Sequence, residues 1–360
     1  MRLGTNVLLR YVRCWMSRRL LVLGSLMMFV LVAGASALGQ APNSDRWNQL
    51  SAANNLDNEG NTPFHIKMTF QLFDLLGKLA DTGTVEEWWA SASTRRIVIS
   101  SPLLDGNGTS VKNESAASSI RARYLVNELI GVAVHPVPQH KSVPGEALAV
   151  RAQQFGKVPL DCASVTTKHD SRAPSNLPTL CIQPKTDEVR LLMRSNGRDV
   201  VERNTIGKFH DTYVALDVQT ELLGHSAISG KVTLLQSFDP AKLADLLKPE
   251  TATAASPEAG KSAHMSGGVA AGSRMSFVQP LYPQMAKADH RSGAVFLHAI
   301  ISKDGSIGSL VPIAVSDGVF TDAAVDAVRQ WKYSPYLLNG EPTEVDTTIT
   351  VNFEINGRLN

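Results

Sequence analysis

Gln279-Pro280-Leu281-Tyr282-Pro283-Gln284-Met285-Ala286 opens the stretch whose reading decides the fold, and that reading runs on to Ile355. Proline in the first turn, followed by alanine, suits the start of a short helix. Gly293-Ala294-Val295-Phe296-Leu297-His298-Ala299-Ile300-Ile301 is an apolar run of strand length, and Lys303-Asp304-Gly305 after it is a hairpin-turn signal. The chain resumes as a strand from Ser306 to Val315, breaks at Asp317-Gly318 and enters a helical pattern from Thr321 to Trp331. Thr321 is placed to cap that helix, with Asp322 beside its positive end. Ala324, Val328 and Trp331 share one face, so Trp331 is expected to anchor the helix on a sheet. After the turn Asn339-Gly340-Glu341-Pro342, the run Thr347-Thr348-Ile349-Thr350-Val351-Asn352-Phe353-Glu354-Ile355 alternates, with Ile349, Val351, Phe353 and Ile355 on the inner face.

At these residues the sequence resembles the C-terminal domain of the TonB family. The resemblance rests on Tyr282-Pro283-x-x-Ala286, Gly293-x-Val295, Lys303-Asp304-Gly305, Ala323-Ala324-x-x-Ala327-Val328-x-x-Trp331-x-Tyr333-x-Pro335 and Gly340-x-Pro342. It covers about the last quarter of the chain. It implies a small β-β-α-β fold in the periplasm that pairs with the N-terminal segment of outer-membrane TonB-dependent transporters. By the resemblance, the partner-binding residues are Tyr282 and Pro283 together with Thr347, Thr348, Ile349, Thr350, Val351, Asn352 and Phe353.

The whole chain has 360 residues, 43% hydrophobic and 19% charged, enough for two folded units. Its formal charge of +2 owes much to Arg2, Arg10, Arg13, Arg18 and Arg19. Without those five, the 35 Lys+Arg become 30 against 33 Asp+Glu, a balance that gives no case for nucleic acid. Leu20 to Leu38 is uncharged, follows Arg18-Arg19 and ends in Ala35-Ser36-Ala37. Residues 1–41 therefore read as a signal peptide, with a retained inner-membrane anchor at residues 20–38 as the alternative. Either reading exports the rest of the chain. Outside that segment the cysteines are Cys162 and Cys181, expected to form a disulfide in an oxidising compartment. Closing such a loop stabilises a fold by about 3 kcal/mol on the chain-entropy account.

Residues 42–63 are polar, rich in asparagine and without clear period, and read as a leader. From Phe64 the alternation of Phe64, Ile66, Met68, Phe70 and Leu72 with polar neighbours marks a strand with one buried face. Further strands are predicted at Thr84–Trp89, Arg95–Ser100, Tyr213–Val218 and Ala227–Leu235, with a helix over Ser119–Leu129. Residues 64–247 are thus expected to be a β-rich α+β domain, and the fold class of the chain α+β. The order of elements is similar to the half-barrel lipoprotein carriers of the periplasm, a likeness of pattern alone. Trp88 and Trp89 fit either a sheet core or the wall of an apolar pocket. Residues 248–274 read as a linker and 275–360 as the C-terminal domain.

Catalytic signatures are missing: there is no His-Glu-x-x-His, no Gly-x-Ser-x-Gly and no paired metal-ligand spacing. Asp105-Gly106-Asn107-Gly108-Thr109 begins like a calcium loop, but Ala116 stands where the closing glutamate belongs. No catalytic residue, cofactor or metal is expected, and the predicted class is binding. An exposed strand edge offers backbone donors and acceptors to an extended peptide, and Thr347–Ile355 is the candidate edge. Two features depart from a TonB transducer. Its membrane helix carries Ser-x-x-x-His toward inner-membrane motor proteins, whereas here Ser25 is followed four residues on by Phe29. The linker holds only Pro249 and Pro257 and reaches about 30 Å as a coil. The alternative is a periplasmic carrier or adaptor whose middle domain holds an apolar ligand, with no energy coupling.

Overall fold

The computed structural model describes residues 43–104, 116–140, 146–167, 177–242, 263–264, 274–338 and 340–355. The proposed signal or anchor segment, the calcium-like loop and most of the linker lie outside them.

The chain begins with helix α1 (Asn43–Asn54) and three strands, β1 (Phe64–Phe73), β2 (Leu79–Ser91) and β3 (Thr94–Ser100). Helix α2 (Ala116–Val134) follows, and then β4 (Glu146–Phe155), β5 (Val158–Thr167), β6 (Thr179–Ile182), β7 (Val189–Arg194), β8 (Asp199–Phe209), β9 (Thr212–Leu222) and β10 (His225–Ser237). These strands form one ten-stranded sheet, ordered β3-β2-β1-β10-β9-β8-β7-β6-β5-β4, in which every pairing is antiparallel. The predicted alternation of β1 holds: Phe64, Ile66, Met68, Phe70 and Leu72 are all buried. Both helices pack on that face of the sheet, α1 against β9 and β4, α2 against β1, β9 and β10. Trp89 joins this core stacked on Phe64, while Trp88 stacks on His65. The middle region is dominated by strands, so the α+β expectation holds only in part.

The stretch read as a polar leader is largely helix α1, and the asparagines taken for breakers are what fasten it. Asn55 donates from Nδ2 to the Val137 carbonyl at 2.8 Å and accepts from the Val137 amide at 3.0 Å. Asn54 donates to the Leu50 and Asp187 carbonyls, and the Trp47 indole donates to the Pro138 carbonyl at 2.8 Å. Trp47 and Leu50 are buried in the core beneath. An amide side chain that meets backbone groups of a packed neighbour is as well satisfied as one in a turn, so composition alone misplaced it.

Cys162 and Cys181 are bonded across β5 and β6, where they stand directly opposite each other. With Leu160, Leu191 and Val200 they form a small second core on the sheet face away from the helices.

Glu87 on β2 faces the helix-covered side, opposite Ile66 and Ile97, and is 2% exposed. Burial pushes its carboxyl up to about 7, only partly offset by Arg95 at 3.9 Å. A carboxyl whose folded pKa is raised costs nothing while protonated and destabilises the fold as pH climbs from the unfolded value through about 7. Glu87→Gln is therefore expected to match the parent near pH 4.5 and to gain on it with rising pH, reaching on the order of 3 kcal/mol at pH 8. Urea midpoints of both proteins at pH 5 and pH 8 check this; a difference that does not change with pH would mean the carboxylate is held charged.

The C-terminal unit consists of β11 (Ala263–His264), β12 (Arg274–Ser276), helix α3 (Gln284–Ala288), β13 (Gly293–Ile301), β14 (Ile307–Val315), helix α4 (Thr321–Val328), β15 (Lys332–Tyr333), β16 (Tyr336–Leu338), β17 (Glu341–Thr343) and β18 (Val345–Phe353). Its sheet runs β11-β18-β13-β14, and β13, β14, α4 and β18 reproduce the expected β-β-α-β order. Thr321 does not cap α4 but lies within it, preceded by a 3-10 turn over Gly318–Phe320. Asp317 caps that turn instead, its side chain accepting from the Val319 amide at 3.1 Å. Ala324 and Val328 are buried on the expected face of α4, but the helix ends at Val328, so Trp331, expected in its last turn, is buried three residues past its end.

One face of this sheet is covered by α4; the other meets the middle region. Helix α2 packs against β14 as well as against the large sheet, and Phe296, Ile313 and Ala314 are part of the middle region's core. Arg121 on α2 bridges the two, its Nε donating to the Ile313 carbonyl at 2.9 Å and Nη1 to the Phe73 carbonyl at 2.6 Å. Burial pushes its guanidinium down to about 10, with Asp74 acting the other way. The result is layered, with α2 between two sheets.

Candidate recognition edge

Strand β18 alternates strictly. Val345, Thr347, Ile349, Val351 and Phe353 are buried on the α4 side, while Asp346, Thr348, Thr350 and Asn352 are half-buried on the other. The strand ends at Phe353, so Ile355, expected on the inner face, lies past it in a half-buried bend. On one side β18 pairs antiparallel with β13 along its whole length, from Gly293 opposite Phe353 to Ile301 opposite Val345. On its other side only Val345 and Asp346 are paired among the described residues, in parallel with Ala263 and His264 of β11. From Thr347 to Phe353 the outer edge therefore carries no strand among the described residues. Backbone donors and acceptors along such an edge are the chemistry that takes up an extended peptide.

Side chains of the half-buried row are held by the middle region and, at Asp346, by β13. Thr348 Oγ1 shares a hydrogen bond with the Tyr124 hydroxyl at 3.1 Å, Arg198 donates to the Asn352 side chain, and Asp346 pairs with His298 Nε2 at 2.9 Å. The Tyr124 ring lies 4.8 Å from the His298 ring, and burial holds its hydroxyl well above the usual range. These contacts fix the strand's position through its side chains, and its outer edge from Thr347 to Phe353 meets no strand among the described residues. Arg198 was missed in the sequence; a charged residue in a tight turn gives no sign of which distant strand it will meet.

Tyr282 is brought to the end of the same strand. Its ring meets Phe353 and Phe320 edge-on at 5.8 and 5.9 Å, and its hydroxyl donates to the Arg291 carbonyl at 2.5 Å. Pro283 sets the extended approach to α3. On either side of this pair Leu281 and Met285 are 84% and 70% exposed, a small apolar shoulder that the sequence reading left out. Trp331 stands apart from the edge, under α4, where its indole donates to the Val278 carbonyl at 2.8 Å.

The family model described as Gram-negative bacterial TonB protein C-terminal matches residues 278–355, which hold the whole arrangement from Tyr282 to β18. This part of the chain belongs to the TonB C-terminal family. Protein TonB of Vibrio cholerae is 28% identical over 81 residues, 22% of this chain and 33% of that protein, so the match spans about a third of the relative's length. The solution structure of the Pseudomonas aeruginosa TonB C-terminal domain is 24% identical, covering 24% of this chain and 87% of that one with a TM-score of 0.21. A DUF1329 family protein from Desulfovibrio piger is 8% identical over 56% of this chain and 93% of its own, with a TM-score of 0.34. A LolA superfamily protein from Nitrosomonas europaea is 8% identical over 56% and 97%, with a TM-score of 0.31. Among the described residues of the TonB domain and the middle region, no helix is long and apolar enough to cross a membrane.

Proposed function

We propose that this is a TonB-like cell-envelope protein whose C-terminal domain binds the N-terminal segment of outer-membrane TonB-dependent transporters by strand addition along β18. The observation that carries the reading is the outer edge from Thr347 to Phe353, free of a strand among the described residues on an otherwise paired strand. Main-chain pairing supplies the affinity, and Tyr282 with Pro283 shapes the end of the groove. Because adjacent residues direct their amides to opposite sides of a strand, one of Thr350 and Val351 donates toward β13 and the other outward. Proline at the outward amide is expected to leave the fold intact and to weaken binding of a synthetic transporter N-terminal peptide by about tenfold, the loss of one main-chain bond that nothing replaces. Calorimetric titration of Thr350→Pro and Val351→Pro, with folding followed separately by circular dichroism, decides it. Undiminished binding by every variant that folds would remove the edge from recognition.

Coupling to inner-membrane motor proteins belongs to this reading only if residues 20–38 stay in the exported protein as an anchor, which N-terminal sequencing of the mature chain reveals. A second reading, a periplasmic carrier or adaptor without energy coupling, is favoured by the packing of the C-terminal sheet on α2 through Arg121 and Tyr124. A domain fastened to its neighbour in this way works with it rather than at the end of a tether. Native mass spectrometry of the exported protein, with or without bound lipid, separates the two.

A further inference from the structure

Beneath helix α1, two arginines stand on neighbouring strands of the large sheet. Arg203 on β8 is 0% exposed. Its Nη1 donates to the Val189 carbonyl at 2.8 Å and to Asn54 Oδ1 at 3.3 Å. Its Nε and Nη2, the side of the guanidinium that grips a carboxylate or phosphate with two parallel bonds, are buried and have no hydrogen-bond partner among the described residues. Arg190 on β7 reaches back across the strands to donate to the Asn204 carbonyl at 2.6 Å, and its Nε is likewise buried without a hydrogen-bond partner among the described residues.

Arg203 makes no ion pair among the described residues. Glu188 lies 3.9 Å from Arg190 and is the carboxylate nearest the pair there. Glu202, the neighbour of Arg203 in sequence, stands opposite Leu191, which belongs to the core on the other face of the sheet. Successive side chains on a strand point to opposite faces, so Glu202 does not neutralise Arg203. Burial pushes the Arg203 guanidinium down to about 9, and the nearby Arg190 adds to it. Two like charges side by side in a buried layer, with a vacant two-pronged edge, raise the free energy of the fold unless an anion joins them.

We propose that Arg190 and Arg203 form a receptor for a phosphate-class oxyanion under α1, with the Nε–Nη2 edge of Arg203 as the gripping element and Arg190 as the second cation. The chemistry fits free phosphate or the phosphate of a lipid headgroup.

The test uses the mature full-length chain and three probes: inorganic phosphate, dodecyl phosphate below its micelle concentration, and dodecyl maltoside as the uncharged control. Thermal midpoint and direct calorimetric titration are read for the parent, Arg203→Met and Arg203→Lys. A ligand that binds the native state alone raises the midpoint by mass action. The parent is expected to shift upward with a phosphate probe and not with dodecyl maltoside. A response to inorganic phosphate identifies the free anion as sufficient, and a response to dodecyl phosphate alone identifies a headgroup. Arg203→Met is expected to be at least as stable as the parent without probe, because an unbalanced buried charge has gone, and to lose the phosphate response. Arg203→Lys keeps the charge without the two-pronged edge, so its affinity should fall by at least about tenfold. No shift with either phosphate probe, an equal shift with dodecyl maltoside, or a phosphate response retained in both variants would overturn the proposal. So would an Arg203→Met midpoint well below the parent's with no phosphate response in the parent, since the arginine would then be a structural tie between β8, Val189 and Asn54.

Discussion

Replacing Gly305 by alanine is expected to destabilise the TonB domain by about 3 kcal/mol or more, the combined cost of left-handed strain and a lost buried backbone bond. Gly305 has φ +83°, a conformation that a side chain resists. It is also pressed against the start of the segment after α4. Its carbonyl accepts from the Tyr333 amide at 2.8 Å, its own amide donates to the Ser302 carbonyl at 2.8 Å, and an added Cβ would overlap the Tyr333 carbonyl. Backbone cannot step aside as a flexible side chain can, so the β13–β14 turn or the β15 segment must detach. Gly318 is the control, since a Cβ there meets nothing within 4 Å, and its alanine variant should stay within about 0.5 kcal/mol of the parent. Hydrogen exchange of the β13 amides reports this domain's stability separately from that of the large sheet. Equal protection in the Gly305 and Gly318 variants would show that the turn tolerates a side chain.

This glycine explains why the C-terminal unit was legible in sequence. Each motif residue there meets one specific demand of the backbone or core: Gly305 a positive φ, Gly293 a close approach to Phe320 and Ser316, Ala324 and Val328 a helix face. The middle region gave itself away only where apolar and polar residues alternate, as along β1. Strand β8 runs Val-Val-Glu-Arg-Asn through Val200–Asn204, every residue of it buried, and three of those five read as loop by polarity. Strand β4 fails for the opposite reason. Its outer half, Val150 to Gln154, is exposed on both faces, so no period marks it. Helix α1 was hidden by asparagines whose backbone partners lie more than eighty residues away. The candidate edge followed from the alternation of β18. Its fastening to α2 and to Arg198 did not, because contacts such as Tyr124 with Thr348 join residues 224 positions apart and leave no trace in local pattern.

Trp331→Ala is expected to cost about 3–5 kcal/mol, the range for removing a large buried aromatic side chain. The ring is 4% exposed beneath α4, lies 5.1 Å from the Phe277 ring and carries the Arg274 guanidinium 4.8 Å from its centre. Its indole nitrogen also ties the segment before Tyr282 to the helix through the Val278 carbonyl. Alanine would remove the packing, the cation–π contact and that tie together. Phenylalanine separates them: it keeps most of the apolar volume and leaves the Val278 carbonyl without its donor, so Trp331→Phe should lose only about 1 kcal/mol for the bond, with a further part for the smaller ring. Both variants are read by urea unfolding and by β13 amide exchange. Since Val278 leads into Tyr282 and Pro283, the alanine variant should also loosen the end of the recognition groove, lowering peptide affinity even at temperatures where the domain is folded. A loss below about 1 kcal/mol in Trp331→Ala would mean that the indole does not anchor α4 and that the segment before Tyr282 is held by other contacts.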